Sequence, residues 1–247
     1  MKYPQMTDIR VLTWNMLNDA YAFPCRYPWV SPASLAWSRR QSQMASILVP
    51  LSLDFICAQE VSEGNVPELP GMTWVYGLDR KRRKAISKGN HVMTCALAYR
   101  GSKWCMVGDP QVTSRTLTCT FRAAGGGDET FRITSLHLPV DTSEQLVHLR
   151  HDLGDVVAGD FNNFPGTAPV RALCDRKEQE GYVNVYDERT GPKSTYYLND
   201  VVDYVFIRPS RFRLKSICWA SPHHPIPNAL FPSDHLWIMA VLTALPH

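Results

Sequence analysis

The chain lacks the spacing for a cysteine framework. It holds Cys25, Cys57, Cys95, Cys105, Cys119, Cys174 and Cys218, an odd number with no C-x-x-C pair. A structural zinc site or disulfide scaffold is therefore not expected, and reduced thiols in an intracellular compartment, the cytoplasm first, are. No apolar run reaches the length that crosses a bilayer, and MKYPQMTDIR does not have the build of a secretory signal. A membrane is not expected as a partner. Repeats and low-complexity tracts are missing as well, which excludes solenoids and disordered arrays. Charge of one sign is scarce. A net charge of +3 is compatible with a polyanionic substrate but too small to argue for one.

What is present suits a globular α/β domain. The 247 residues are 45% apolar and 20% charged, enough to bury a sizeable core. No stretch marks a domain boundary, so one domain over 1–247 is expected. IRVLTWN, LDFICAQE, HVMTCALAYR, RTLTCTF, TFRITSLHL, DVVAGD, VVDYVFIRP, FRLKSICWA and LWIMAVLTAL read as strands. SPASLAWSRRQSQMASILVPL reads as one helix with a Ser-Pro start, and Trp37, Met44, Ile47, Leu48 and Leu51 recur near helical spacing. TSEQLVHLRHDLG, capped by its threonine or serine, and APVRALCDRKEQEGY are further helices. DRKRRKAISKGNH and AAGGGDE read as surface loops. Many strands with helices inserted between them suggest two packed sheets flanked by helices.

The informative feature is where polar residues fall. Asn15, Glu60, His137 and Asp160 each end an apolar run, and Asn162 follows two positions later. Asp203 interrupts VVDYVF, and Asp234-His235 precede the last strand. Taken singly, each has a bland explanation, because strand ends are solvated and Asn and Asp favour turns. Taken together they are harder to dismiss, since buried acids without partners are costly. If the strands share a sheet edge, these ends converge on one pocket. Carboxylates and amides without cysteine are hard oxygen ligands that suit Mg²⁺, or Mn²⁺, better than zinc. A metal, a carboxylate base and a histidine together supply what phosphodiester hydrolysis needs.

In order, TWNML, AQEV, LHL, GDFNN, VDYVF and PSDH resemble the endonuclease/exonuclease/phosphatase superfamily over nearly the whole chain. TWNMLNDAYAFP, LAWSRRQSQMASIL, DFICAQEV, KGNHVMTCALAYR and IPNALFPSDHLWIMAVL resemble its carbon-catabolite-repressor-type deadenylase branch, with nocturnin and the Angel proteins. The resemblance implies a four-layer α-β-β-α sandwich of two mixed sheets, a single catalytic domain over 1–247, and Mg²⁺ (or Mn²⁺) as cofactor. It implies Glu60 as principal metal ligand, with Asn15 beside it on metal-linked phosphate contacts and Asp234 helping to hold a metal. Asp160 would orient or deprotonate water, Asn162 would bind the scissile phosphate, and His137 would contact a phosphate oxygen. His235, oriented by Asp203, would stabilise the transition state.

Two departures stand out. LHLPVD places Pro139 and Val140 where the deadenylases carry a second histidine and a tryptophan. Leu198 stands where they place a base-stacking aromatic, with Tyr196 and Tyr197 as substitutes. The implied activity is 3′→5′ exoribonucleolysis of single-stranded RNA, poly(A) included, to nucleoside 5′-monophosphates. The alternatives are a nocturnin-like phosphatase on a phosphorylated dinucleotide, a non-catalytic RNA-binding scaffold and, more weakly, a DNA-repair endonuclease. Arg80, Lys81, Arg82, Arg83, Lys84 and Lys88 read either as a solvated loop or as a guide for an RNA backbone. Tyr21, Phe23, Tyr27 and Trp29 read as lid packing or as a stacking platform. His148 and His151 are expected on a helix surface, and His223 and His224 in a Pro-rich loop.

Overall fold

A computed structural model describes residues 8–78, 80–86, 92–174, 181–186, 191–222 and 225–245. Two six-stranded mixed sheets lie face to face. The first runs β11(Phe212–Trp219), β12(Ile238–Ala244), β1(Asp8–Asn15), β2(Phe55–Val61), β4(Thr94–Arg100), β3(Met72–Tyr76). The second runs β5(Trp104–Val112), β6(Thr116–Ala123), β7(Thr130–His137), β8(Val156–Asp160), β10(Asp203–Ile207), β9(Val183–Asn184). Each sheet contains one parallel pair, β1 with β2 and β7 with β8. Each of these pairs is bridged by helix: α1(Pro32–Leu35) and α2(Trp37–Leu48) in the first, α4(Thr142–Leu149) in the second. The remaining helices are α3(Arg80–Ile86) and α5(Ala168–Cys174). This is the expected α/β sandwich.

Strand alternation builds the layers. In β1, Ile9 and Val11 face the core between the sheets, while Leu12 and Trp14 face Met44 and Leu48 of α2. Phe55 and Cys57 of β2 point inward, and Ile56 and Ala58 outward. Tilted and edge-to-face contacts of Phe55, Trp104, Phe121 and Phe131 fill one end of the inner core. None of the seven cysteines is in a disulfide. Among the described residues no helix is long and apolar enough to cross a membrane.

Some elements differ from the sequence reading. The first helix breaks at Ala36, whose extended ψ of 131° separates α1 from α2. Ser31 caps α1 by accepting the Ser34 N–H at 3.3 Å, with Pro32 in the first turn. The cap of α4 is Asp141 rather than a threonine or serine; its carboxylate accepts the Ser143 N–H at 2.8 Å. The basic stretch expected as a loop is helical from Arg80 to Ile86, because Arg, Lys and Ala are good helix formers. Arg82 Nη1 donates to Thr113 O at 3.0 Å, and Arg83 Nε to Leu78 O at 3.0 Å, which fastens the helix to the body. Lys88, His223, His224 and residues 175–180 of the expected APVRALCDRKEQEGY helix lie outside the described residues, and its last two, Gly181 and Tyr182, are not helical. The strands β3, β5 and the two-residue β9 were not anticipated. Around Gly108 the β5 register shifts between Val107 and Gln111, which breaks the alternation a sequence reading depends on.

Gly159 sits where β7 and β8 approach closely. A Cβ there would lie 2.0 Å from the Leu136 carbonyl oxygen of the neighbouring strand. Gly159→Ala should therefore cost about 3 kcal/mol, read as a lower urea midpoint. A loss well under 1 kcal/mol would mean that the pair of strands can part without penalty.

Candidate active site

Register carries polar side chains to one end of the sandwich. His137 pairs with Asp160 across β7 and β8, and Asp160 pairs with Asp203 across β8 and β10. Residues opposite one another in a ladder share a face, so all three meet on the side facing the first sheet. There Asn15 ends β1 beside Gln59. Simple alternation would turn Glu60 away from that face. A bulge between Ala58 and Val61, with Glu60 at a left-handed φ of 56°, re-aims it.

Asn15 bridges the sheets. Its Nδ2 donates to Glu60 Oε1 at 3.2 Å and to Asp160 Oδ2 at 3.0 Å. Its Oδ1 accepts the Leu17 N–H at 3.0 Å, which sets the orientation of the amide. Glu60 Oε2 accepts the Asn18 N–H at 3.1 Å. The Glu60 side chain keeps 16% exposure, while Asp160 is fully enclosed. His137 Nε2 lies 3.6 Å from Asp160 Oδ2 and 4.0 Å from Glu60 Oε1. On the other side, His235 Nε2 lies 3.7 Å from the same Asp160 oxygen.

Asp203 and His235 form a buried pair, Nδ1 to Oδ2 at 2.9 Å. Burial disfavours charge on His235, but the carboxylates of Asp203, Asp160 and Asp234 outweigh it and raise the imidazole to about 10. Burial pushes the Asp203 carboxyl up, and the facing imidazole pulls it back. Among the described residues Asp203 Oδ1 is buried without a hydrogen-bond partner, so the imidazolium is what chiefly holds its charge.

Asp160 also makes a tight turn. Its Oδ1 accepts the Asn162 N–H at 2.8 Å, and Asn162 has a left-handed φ of 48°. Asn162 Nδ2 donates to Leu138 O at 2.8 Å. Asp234 is buried next to His235, but its Oδ2 is held by the Tyr27 hydroxyl at 2.7 Å, with Arg26 at 3.6 Å. The Tyr196 ring lies 4.6 Å from the His235 ring, and Tyr197 packs on Tyr196 and faces Tyr27 and Trp29. Leu198 projects outward, 57% exposed.

Among the described residues, Asp160, Asp203 and His235 are the group with ligand atoms all within 4.8 Å. Asp203 already holds the imidazole, so this trio suits proton handling better than a metal cage. Glu60 and Asp160 present hard anionic oxygens on either side of the Asn15 amide, a donor set that fits Mg²⁺ or Mn²⁺.

Several supporting residues carried no role in the sequence reading. Asn18 holds Glu60 through its backbone N–H and also donates Nδ2 to Glu60 O at 3.1 Å. Ser233 Oγ donates to Asn15 O at 2.6 Å and accepts the His235 N–H at 3.2 Å. Gln145 Nε2 of α4 donates to Pro139 O and Phe161 O, and its Oε1 accepts from Asn163, clamping the turn after Asp160. Arg40 is fully buried on the stripe with Met44 and Leu48. It donates to Leu35 O at 2.9 Å, Met16 O at 3.1 Å, Leu17 O at 2.9 Å and Pro232 O at 3.4 Å. Its four-residue spacing from Met44 was the available signal.

Known proteins with similar chains point the same way. Over 116 residues the chain is 27% identical to the CCR4-Not complex 3′-5′-exoribonuclease subunit Ccr4 of Neurospora crassa, covering 42% of this chain and 14% of that protein. The match thus spans about a seventh of that subunit's length. Over 261 residues it is 24% identical to Protein angel of Drosophila melanogaster, covering 85% of this chain and 73% of that protein. The human nocturnin catalytic domain with bound sulfate superposes with a TM-score of 0.70 at 17% identity, over 96% of this chain and 95% of that one. Those three are the Ccr4, Angel and nocturnin relatives anticipated from the motifs. A model of the Endonuclease/Exonuclease/phosphatase family matches residues 12–235, most of the chain, and the protein belongs to that family of hydrolases.

Proposed function

We propose that the 247 residues act as one catalytic domain, a Mg²⁺-dependent 3′→5′ exoribonuclease on single-stranded RNA that releases nucleoside 5′-monophosphates. The observation that carries this is Asn15 bridging the Glu60 and Asp160 carboxylates across the sheets, opposite the Asp203–His235 pair. The similarity to a Ccr4 exoribonuclease subunit supports RNA as substrate. Cysteines outside disulfides fit a reducing intracellular compartment, the cytoplasm first.

Glu60, with help from Asn15 and Asp234, would hold Mg²⁺ or Mn²⁺, which would supply positive charge against the phosphate. Asp160 takes a proton from the attacking water, between the two imidazoles that face its Oδ2. His235, kept charged by Asp203, faces the phosphate charge that grows as water adds. The bond from phosphorus to the 3′ oxygen breaks, and that oxygen leaves as a protonated 3′-hydroxyl. Asn162 and His137 contact phosphate oxygens, and Tyr196 and Tyr197 line the nucleotide's approach in place of the aromatic that Leu198 replaces.

The test is incubation with labelled poly(A), other homopolymers and a phosphorylated dinucleotide across a Mg²⁺ and Mn²⁺ titration. A ladder of monophosphates supports the reading. Free phosphate from the dinucleotide alone replaces it with a nocturnin-like phosphatase, and no hydrolysis at all replaces it with a scaffold. Asp203→Asn should lower kcat by about 10²-fold or more with little change in KM, because it removes the charge that keeps His235 oriented and protonated. Equal losses in kcat and binding would assign Asp203 to substrate capture instead.

A further inference from the structure

The segment after β1 folds back over the loop that carries Asp234 and His235. Tyr27 OH reaches Asp234 at 2.7 Å, and Trp29 Nε1 donates to Pro227 O at 3.2 Å. Within this segment lies Arg26, whose side chain is 32% exposed. Its guanidinium sits 5.5 Å from the centre of the Tyr27 ring and 5.8 Å from that of Tyr21. Tyr196, which contacts both Arg26 and the His235 ring, connects it to the catalytic imidazole.

Two arginines near the site differ in how their donors are used. Arg40 is fully buried and distributes its N–H groups over four backbone carbonyls. Arg26 carries the same five donors, yet among the described residues makes one long hydrogen bond, to the Tyr196 hydroxyl at 3.4 Å. Its ion pair with Asp234 is loose at 3.6 Å, and the same carboxylate oxygen is already bonded to Tyr27. The two ring contacts and the loose ion pair hold the guanidinium in place but, among the described residues, leave most of its N–H donors without an acceptor. A planar fork of donors at the half-open rim of a phosphate-cleaving pocket, flanked by aromatic faces, matches the geometry that recognises a phosphate through two parallel hydrogen bonds.

We propose that Arg26, with the Tyr196 hydroxyl, binds a second phosphate of the substrate, one nucleotide removed from the bond that is cut. This rests on the phosphodiesterase reading above. It makes nucleotides with two or more phosphates the preferred substrate class, whether the second is a chain phosphodiester or a terminal monoester. Arg26 is then a specificity residue, and the loop it sits on is part of the substrate surface.

The experiment compares kcat/KM of wild type, Arg26→Gln and Arg26→Lys on ApA, which has one phosphate, and on ApApA, pApA and ApAp, which have two. In Arg26→Gln the loss on a two-phosphate substrate should exceed the loss on ApA by at least about tenfold and lie mainly in KM. Which of the three is affected tells a diester from a monoester. Arg26→Lys keeps the ion pair with Asp234 but not the fork, and should fall between. Equal losses on ApA and the two-phosphate substrates overturn the proposal and make Arg26 a prop for Asp234.

In parallel, a fluorescent single-stranded RNA is titrated by anisotropy over a range of salt. Arg26→Gln should weaken binding and reduce the salt slope by about 0.7, as for one lost phosphate contact. An inert wild type whose RNA binding still depends on Arg26 sinks the hydrolysis reading and with it the assignment relative to a cut bond, leaving Arg26 as a phosphate contact of a binding surface. Binding and salt slope unchanged by the substitution overturn it.

Discussion

Glu60→Gln should lower kcat by about 10³-fold or more and weaken Mg²⁺ binding, with no loss of thermal stability. Glu60 is the one carboxylate of the cluster that remains partly open, at 16% side-chain exposure. Its oxygens face the pocket because the bulge and the left-handed φ put them there. Glutamine keeps the shape and one acceptor oxygen, enough for the Asn18 N–H, with its NH2 then facing the Asn15 amide that also donates to Asp160. What disappears is the charge, and with it the strongest hard-oxygen donor for a divalent cation. Stability should hold or rise, since the wild type keeps two carboxylates on a single amide group, and sites built for activity often carry such a cost. The checks are kcat at saturating metal, a calorimetric metal titration and a thermal melt. Turnover within tenfold of wild type would remove Glu60 from the metal site, and with it the main support for a cation there.

Arg40→Ala should destabilise the protein by about 3–5 kcal/mol, as expected when a buried, fully hydrogen-bonded charge is removed from its partners. The backbone carbonyls it serves would be left buried and unbonded. Those of Met16 and Leu17 follow Asn15, and that of Pro232 precedes Ser233, Asp234 and His235. The guanidinium thus ties two site loops to α2 from behind, without touching the pocket. Urea unfolding measures the stability term. Arg40→Lys, which keeps the charge but reaches fewer acceptors, should recover part of it. If Arg40→Ala unfolds at the wild-type midpoint, the loops are held by other contacts, of which Trp14 Nε1 to His235 O at 2.9 Å and Ser233 to Asn15 are the strongest candidates.

The strand-end polar residues were legible because each interrupts a pattern. A carboxylate at the end of VVAGD or inside VVDYVF contradicts the apolar run around it. The ladders then bring His137, Asp160 and Asp203 side by side, so sequence order and spatial order agree. The buried strands were legible because β1 and β2 are apolar on both faces and read as near-continuous hydrophobic runs. The basic helix was not. DRKRRKAISK has no apolar stripe to mark a helix, and its anchoring comes from carbonyls at Gly77, Leu78 and Thr113. Arg40 was hidden as well. An arginine on a helix is ordinarily solvated, and only the loops closing over α2 make it a core residue.

The sequence by itself determined the kinds of chemistry available: hard oxygen donors, imidazoles, no thiolate pair, and strands that end in polar groups. Those follow from residue identity and local periodicity, which need no distant contact. Tertiary structure alone decided where the groups point. The turn of Glu60 toward Asn15, the sharing of Asp234 between Tyr27 and Arg26, and the rise of the His235 pKa all depend on segments far apart in the chain. A backbone bulge and the summed field of three neighbouring carboxylates have no local signature, because the first exists only once β2 pairs with β4 and the second only once the two sheets have closed on each other.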